Sequence, residues 1–186
     1  MLVIFIGPPG SGKGTQASRL CEYLSIAHLS TGDMFRAAIQ EETELGILAQ
    51  QYMDRGELVP DQLVVEMVAE ALRNAPYDTG GLLDGFPRSL PQAEALDQIL
   101  AQEGKQVDMV LELDVGDEIL IERLLERKRP DDTLDTIRNR LKVYMEQTSP
   151  VLSYYKERRL LTTINGEGTM DDVHREILEQ TLQKNE

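Results

Sequence analysis

Leu2-Val3-Ile4-Phe5-Ile6-Gly7-Pro8-Pro9-Gly10-Ser11-Gly12-Lys13-Gly14-Thr15 follows the first methionine of the chain. Five apolar residues run without interruption and three are β-branched, as in a strand covered on both faces. Glycines and prolines stop that strand. Ala17, Leu20, Cys21 and Leu24 then recur at helical spacing. The segment Gly7 to Thr15 therefore joins a strand to a helix, and it fits G-x-x-x-x-G-K. Its glycines let backbone N–H groups converge into an anion cradle, to which Lys13 and the helix N-terminus add positive charge. A polyphosphate suits that cradle. A plain Gly-Pro turn accounts for the loop alone, but not for strand, spacing, lysine and helix together. Gly14 stands where Ser or Thr usually follows the lysine, so the hydroxyl arrives one residue later, at Thr15.

Working outward, Gly81–Asp84, Met109–Asp114 and Leu160–Asn165 read as further buried strands. Helical patterns lie between them. Leu63, Val64, Met67, Val68, Ala71 and Leu72 keep helical period after Pro60-Asp61. Ser89-Leu90-Pro91-Gln92 reads as a capping box opening a helix to Glu103, and Thr169 to Asp172 opens another. Asp117–Arg127 and Asp132–Gln147 are further helices, the second broken or kinked by Pro150. Strand–helix alternation predicts a parallel sheet covered by helices. About 75 mostly helical residues separate the first two strands. That is too long for one crossover, and it predicts a helical insertion at 30–59.

The chain has 186 residues, enough for one domain with a sizeable core. Its 33 acidic and 19 basic residues give a net charge of −14. That argues against nucleic acid and anionic membranes as partners. The single cysteine, Cys21, excludes an internal disulfide and a cysteine-based zinc site, and fits a reducing cytoplasm. Leu2–Ile6 is far shorter than the ~20 residues of a spanning helix, and it lacks the basic lead-in of a signal peptide. A cytoplasmic protein is expected. Asp84 closes the Gly81–Asp84 run, where a phosphate-loop protein places a carboxylate that helps hold Mg²⁺ or its water.

Asp84-Gly85-Phe86-Pro87-Arg88, taken with the phosphate loop and Ser30-Thr31-Gly32-Asp33, resembles the nucleoside monophosphate kinases, and among them the adenylate kinase family. The resemblance runs from Met1 to about Val173. It implies a P-loop three-layer α/β sandwich with an AMP-binding insertion at 30–59 and a very short lid at 127–133. It also implies reversible phosphate transfer between ATP and AMP, giving two ADP, and a monomer. ATP would lie on Gly10, Ser11, Gly12, Lys13, Gly14, Thr15, Arg123, Arg127 and the backbone of Gly168. AMP would lie on Thr31, Arg36, Glu57, Leu58, Val59, Gly85, Phe86, Pro87, Arg88 and Gln92. Arg129 and Arg140 would reach the AMP phosphate and the transferring group. Lys13, Arg88, Arg123, Arg129 and Arg140 would carry the catalysis. Mg²⁺ would enter with ATP, touching Asp84 and Thr15 through water, and no zinc is implied. The Phe86–Pro87 bond would be cis.

Several of these residues have plainer readings. Ser30 and Asp33 form a capping box, Gln92 completes the box opened by Ser89, and Arg36, Arg138 and Arg140 fit solvated helix charges. His28 and His174 read as structural or surface residues, Cys21 as core, and Tyr154-Tyr155 as packing. The charge pattern favours a site. From Arg123 to Lys142 the chain carries seven basic and four acidic residues, net +3 within a −14 chain. The alternatives are a pyrimidine nucleoside monophosphate kinase, a nucleotide-dependent switch and a catalytically silent nucleotide-binding scaffold. The first commonly carries Ala at the place of Thr31 and Asn at that of Ser89. The second needs an Asn-Lys-x-Asp guanine reader, which this sequence lacks.

Overall fold

The computed structural model describes residues 1–74, 80–127, 129 and 132–184. Lys128, Pro130 and Asp131 of the expected lid lie outside the described residues. Strand β1 (Leu2–Ile6) leads through the phosphate loop into α1 (Lys13–Leu24). Then come β2 (Ala27–Ser30), α2 (Thr31–Gln40), α3 (Glu44–Arg55) and α4 (Asp61–Asn74). Strand β3 (Gly81–Asp84) precedes α5 (Leu90–Gln102), and β4 (Met109–Asp114) precedes α6 (Asp117–Arg127) and α7 (Leu134–Val143). The chain ends with α8 (Ser149–Glu157), β5 (Leu161–Asn165) and α9 (Met170–Gln183).

The five strands form one parallel sheet in the order β2-β3-β1-β4-β5. Alternation along β1 divides the core in two. Ile4 and Ile6 face α4, α5 and α8, where Val68, Leu96 and Tyr155 pack. Val3 and Phe5 face α1 and α9, where Leu20 and Ile177 pack. The result is the three-layer sandwich that alternation predicts. Cys21 is buried in the second layer.

Two differences from the sequence reading have physical causes. Strand β2 is an additional edge strand. Only Leu29 of its four residues is fully buried, so it carries no apolar run, and pairing with β3 defines it. The helix expected from Asp132 to Gln147 starts at Leu134 with Thr133 as its cap and ends at Val143. A π turn, Tyr144–Thr148, follows and leads into α8. Pro150 cannot donate to the Glu146 carbonyl and its ring crowds it, so the kink expected there takes the form of a widened turn.

Register assembles one end of the sheet. Ser30 pairs with Asp84, and Asp84 with Phe5. Thr31, Gly85 and Gly7 therefore leave neighbouring strands at the same carboxyl edge, where ligands of open α/β sheets bind.

Candidate active site

At that edge lies a cleft of about 740 Å³. Its first wall is the phosphate loop. Gly10 has φ +89, and a Cβ there would lie 2.8 Å from the Leu120 carbonyl and 2.9 Å from Leu124 Cγ. Only glycine lets α6 close on the loop in this way. Gly12, at φ +92, starts α1 and faces open space. Lys13 donates to the carbonyls of Gly7 at 2.6 Å and Pro8 at 2.9 Å. Burial lowers its pKa to about 8; Arg88 and Arg127 push the same way against the attraction of Asp84.

Asp84 closes β3 and is 8% exposed. Burial raises its carboxyl pKa, but His28, Lys13 and Arg88 outweigh that and hold it below the usual range. The nearest His28 nitrogen is 3.8 Å away. Position 14 has no side-chain oxygen, and Thr15 lines the cleft as an exposed residue. Among the described residues no group of three or more His, Cys, Asp or Glu is arranged to hold a metal. One carboxylate and a nearby hydroxyl fit a Mg²⁺ ion that arrives on phosphates and keeps its water.

The second wall is built from side-chain networks. Thr31 Oγ1 donates to the Gly85 carbonyl at 3.0 Å, and Arg88 Nε donates to the same oxygen at 2.8 Å. Gly85 has φ +81, and a Cβ there would sit 2.8 Å from Thr31 Oγ1. Thr148, at the end of the π turn, donates to the Arg88 carbonyl at 2.9 Å. Arg88 is open to solvent at the cleft, yet desolvation lowers its pKa; Arg140 and Arg36 add to this and Asp84 opposes it. The Phe86–Pro87 bond is cis. Ser30 caps α2 as expected, and Arg36 pairs with Asp33. Ser89 caps α5 through the Gln92 N–H, but the Gln92 side chain accepts from Arg88 N at 2.7 Å.

Arginines form the roof. Arg123 donates to the Gly166 carbonyl at 3.1 Å. Arg127 grips both Asp132 oxygens, at 2.7 and 2.9 Å, while Arg140 reaches Asp132 at 3.1 Å and the Met53 carbonyl at 3.3 Å. The Arg129 N–H also donates to Asp132. Burial raises the Asp132 carboxyl, but Arg127, the Arg129 N–H and Arg140 prevail and lower it.

Most residues expected in the site line this one cleft: Gly10, Gly12, Lys13, Gly14, Thr15, Thr31, Arg36, Glu57, Leu58, Val59, Gly85, Pro87, Arg88, Gln92, Arg123, Arg127, Arg129 and Arg140, with Asp84 between the walls. Three do not line it. Ser11 is 3% exposed inside the loop, Phe86 is wholly buried in the core, and Gly168 stands in the β5–α9 loop. Sequence reasoning missed Asp132, which gathers the arginines; His28, read as a structural or surface residue, lines the cleft beside Asp84. The only sequence signal for Asp132 is an acid inside a basic stretch. Tyr154 and Tyr155 meet edge to face at 5.2 Å, as packing. His174 contacts Gln16 at 3.2 Å.

A phosphate loop facing a second cationic wall across the edge of a parallel sheet defines the class of P-loop nucleotide phosphotransferases. A family model described as "Adenylate kinase" matches residues 5–160. Adenylate kinase 1 of Nostoc sp. is 49% identical over 175 residues, covering 94% of this chain and 95% of that relative. The adenylate kinase of Thermobifida fusca is 52% identical over 177 residues, covering 93% and 94%. Adenylate kinase 1 of Synechocystis sp. is 52% identical over 164 residues, 88% of each chain. The chain belongs to the adenylate kinase family, whose reaction is phosphoryl transfer between ATP and AMP.

Proposed function

We propose that the cleft transfers the γ-phosphate of ATP to AMP with the residues divided as follows. The phosphate loop, Gly10 to Thr15, seats the ATP phosphates, with Arg123, Arg127 and the Gly168 backbone on the ATP side. Thr31, Arg36, the Glu57–Val59 strip, Gly85 to Arg88 and Gln92 seat AMP. Arg129 and Arg140 span the two. The observation that carries this reading is convergence. Lys13, Arg88 and Arg127 come from three separate segments, yet all three line one cleft.

Phosphoryl transfer needs positioning and charge neutralisation more than covalent help. Lys13 and the arginines meet charge on the equatorial oxygens of the group in flight. An AMP phosphate oxygen is already ionised at neutral pH, so no general base is required. Mg²⁺ bound with ATP would supply further neutralisation, and Asp84 and Thr15 are the residues that would hold it through water. Water is the competing acceptor, so both nucleotides must be covered. Segment 30–59 is the cover for AMP and 127–133 the cover for ATP. The protein acts as a monomer in the cytosol; among the described residues no helix is long and apolar enough to cross a membrane.

The test compares transfer from ATP to AMP, CMP, UMP and GMP. AMP is expected to be the best acceptor, with little ATP hydrolysis in the absence of an acceptor. Equal or better use of CMP would overturn the assignment.

A further inference from the structure

Gln92 is 2% exposed, and its amide carries both a donor and an acceptor. Which end points where decides what it can read. Two contacts fix it. Gln92 Nε2 donates to Asp61 Oδ1 at 2.7 Å, and Gln92 Oε1 accepts from Arg88 N at 2.7 Å. The same Asp61 oxygen accepts from Ser89 Oγ at 2.8 Å, while Ser89 Oγ in turn accepts from Gln92 N at 3.3 Å. Turning the amide over would set its oxygen against the Asp61 carboxylate and its NH₂ against the Arg88 N–H. Each is a like-with-like contact in a poorly solvated place.

We propose that Asp61, at the start of α4, is a positioning residue that sets acceptor-base specificity by locking the Gln92 amide. This rests on the reading that Gln92 meets the acceptor base. The locked amide has one N–H and one oxygen lone pair left. Adenine offers the complement on its edge, an acceptor at N1 and a donor at N6. Hypoxanthine and guanine reverse both, with N1–H as donor and O6 as acceptor. The carboxylate of Asp61 can only accept, so it excludes the amide orientation that would suit those bases. The reader and its lock lie 31 positions apart in sequence.

The test measures kcat/KM for AMP and for inosine monophosphate, which differ only at the N1–C6 edge. Wild type is expected to prefer AMP by about 100-fold or more. Asp61→Leu keeps the branched shape and removes both acceptor oxygens. It should cut the AMP:IMP ratio by about tenfold or more, with KM for ATP held within about twofold. Asp61→Asn keeps one acceptor oxygen and should retain the ratio within about threefold. A merely structural role would move Tm in Asp61→Leu without moving the ratio. A folded Asp61→Leu with the wild-type ratio overturns the inference, and Asp61→Ala supplies the same comparison where the leucine variant fails to fold. Gln92→Leu separates the two levels. If it collapses the ratio and Asp61→Leu does not, only the lock is wrong. If Gln92→Leu leaves the ratio intact, the assignment of Gln92 falls and the lock with it.

Discussion

The two walls of the cleft are made of different material. The phosphate-loop wall is mostly main chain, with Gly10 and Gly12 at positive φ and α1 beginning at Lys13. The facing wall is mostly side chains tied to one another: Thr31 and Arg88 on the Gly85 carbonyl, Gln92 between Arg88 N and Asp61, Thr148 on the Arg88 carbonyl. Backbone amides and a lysine read charge, which every nucleoside triphosphate carries. A closed side-chain network reads shape and hydrogen-bond pattern, which differ between bases. On the proposed division of the cleft, one wall supplies the force and the other the selection, and Lys13 and Arg88 are the points where each wall would touch the phosphates.

Removing Lys13 should have the largest effect. Lys13→Met takes away the one charged side chain of the Gly7–Thr15 loop, and kcat is expected to fall about 10³-fold. The loss should be equal for every acceptor, since the lysine belongs to the charge-reading wall. An acceptor-dependent loss in steady-state assays would break the comparison. Arg88→Ala comes second, with a fall of about 10² in kcat/KM and a clear rise in KM for AMP. Because Arg88 Nε also donates to the Gly85 carbonyl, its loss should loosen Thr31 as well. Unchanged turnover in both variants would put the chemistry outside this cleft.

The same contrast explains what the sequence disclosed. The phosphate-loop wall is contiguous: strand, loop, lysine and helix follow one another within about two dozen residues, and each announces itself locally. The selecting wall is closed by contacts across the fold. Thr31 meets Gly85 from 54 positions away, and Gln92 meets Asp61 from 31. Such pairs leave no periodic trace, which is why Asp61 stayed invisible and Gln92 looked equally like a helix cap. Strand β2 was hidden for a related reason. Ala27-His28-Leu29-Ser30 buries one apolar residue fully, and only its pairing with β3 makes it a strand. Asp132 was legible as a charge but not as the partner of Arg127 and Arg140, because the two helices carrying those arginines had first to be brought together.

Gly85 tests whether the selecting wall acts as one piece. Gly85→Ala sets a Cβ 2.8 Å from Thr31 Oγ1 and 3.0 Å from Arg88 Nη2, at a φ of +81 that alanine resists. Stability should fall by about 1–2 kcal/mol. KM for AMP should rise about tenfold, as a polar network held 1 Å out of place loses its geometry. KM for ATP should stay within about twofold, because nothing in the phosphate loop moves. Equilibrium denaturation and the two KM values read these outcomes separately, and a matched rise in both KM values would show that the walls are not independent.

The smallest effect is the most discriminating, because it gives stability and binding opposite signs. Lys13 titrates near pH 8 in the folded protein, through burial first and then the repulsion of Arg88 and Arg127. In the unfolded chain it keeps its proton until about 10.5. Between these values the unfolded state holds more protons, so this group's contribution to folding stability rises with pH. Phosphate binding requires the charged form, so affinity for ATP falls over the same range. Between pH 7 and 8.5 the protonated fraction drops about fourfold, and the dissociation constant for ATP should rise by about that factor, with proton uptake on binding. AMP affinity should change less, since Arg88 stays charged throughout. General alkaline loosening would instead lower stability and both affinities together. Titrating ATP in buffers of different ionisation enthalpy separates the two cases, and in Lys13→Met the proton uptake should vanish while the remaining ATP affinity becomes flat across this range.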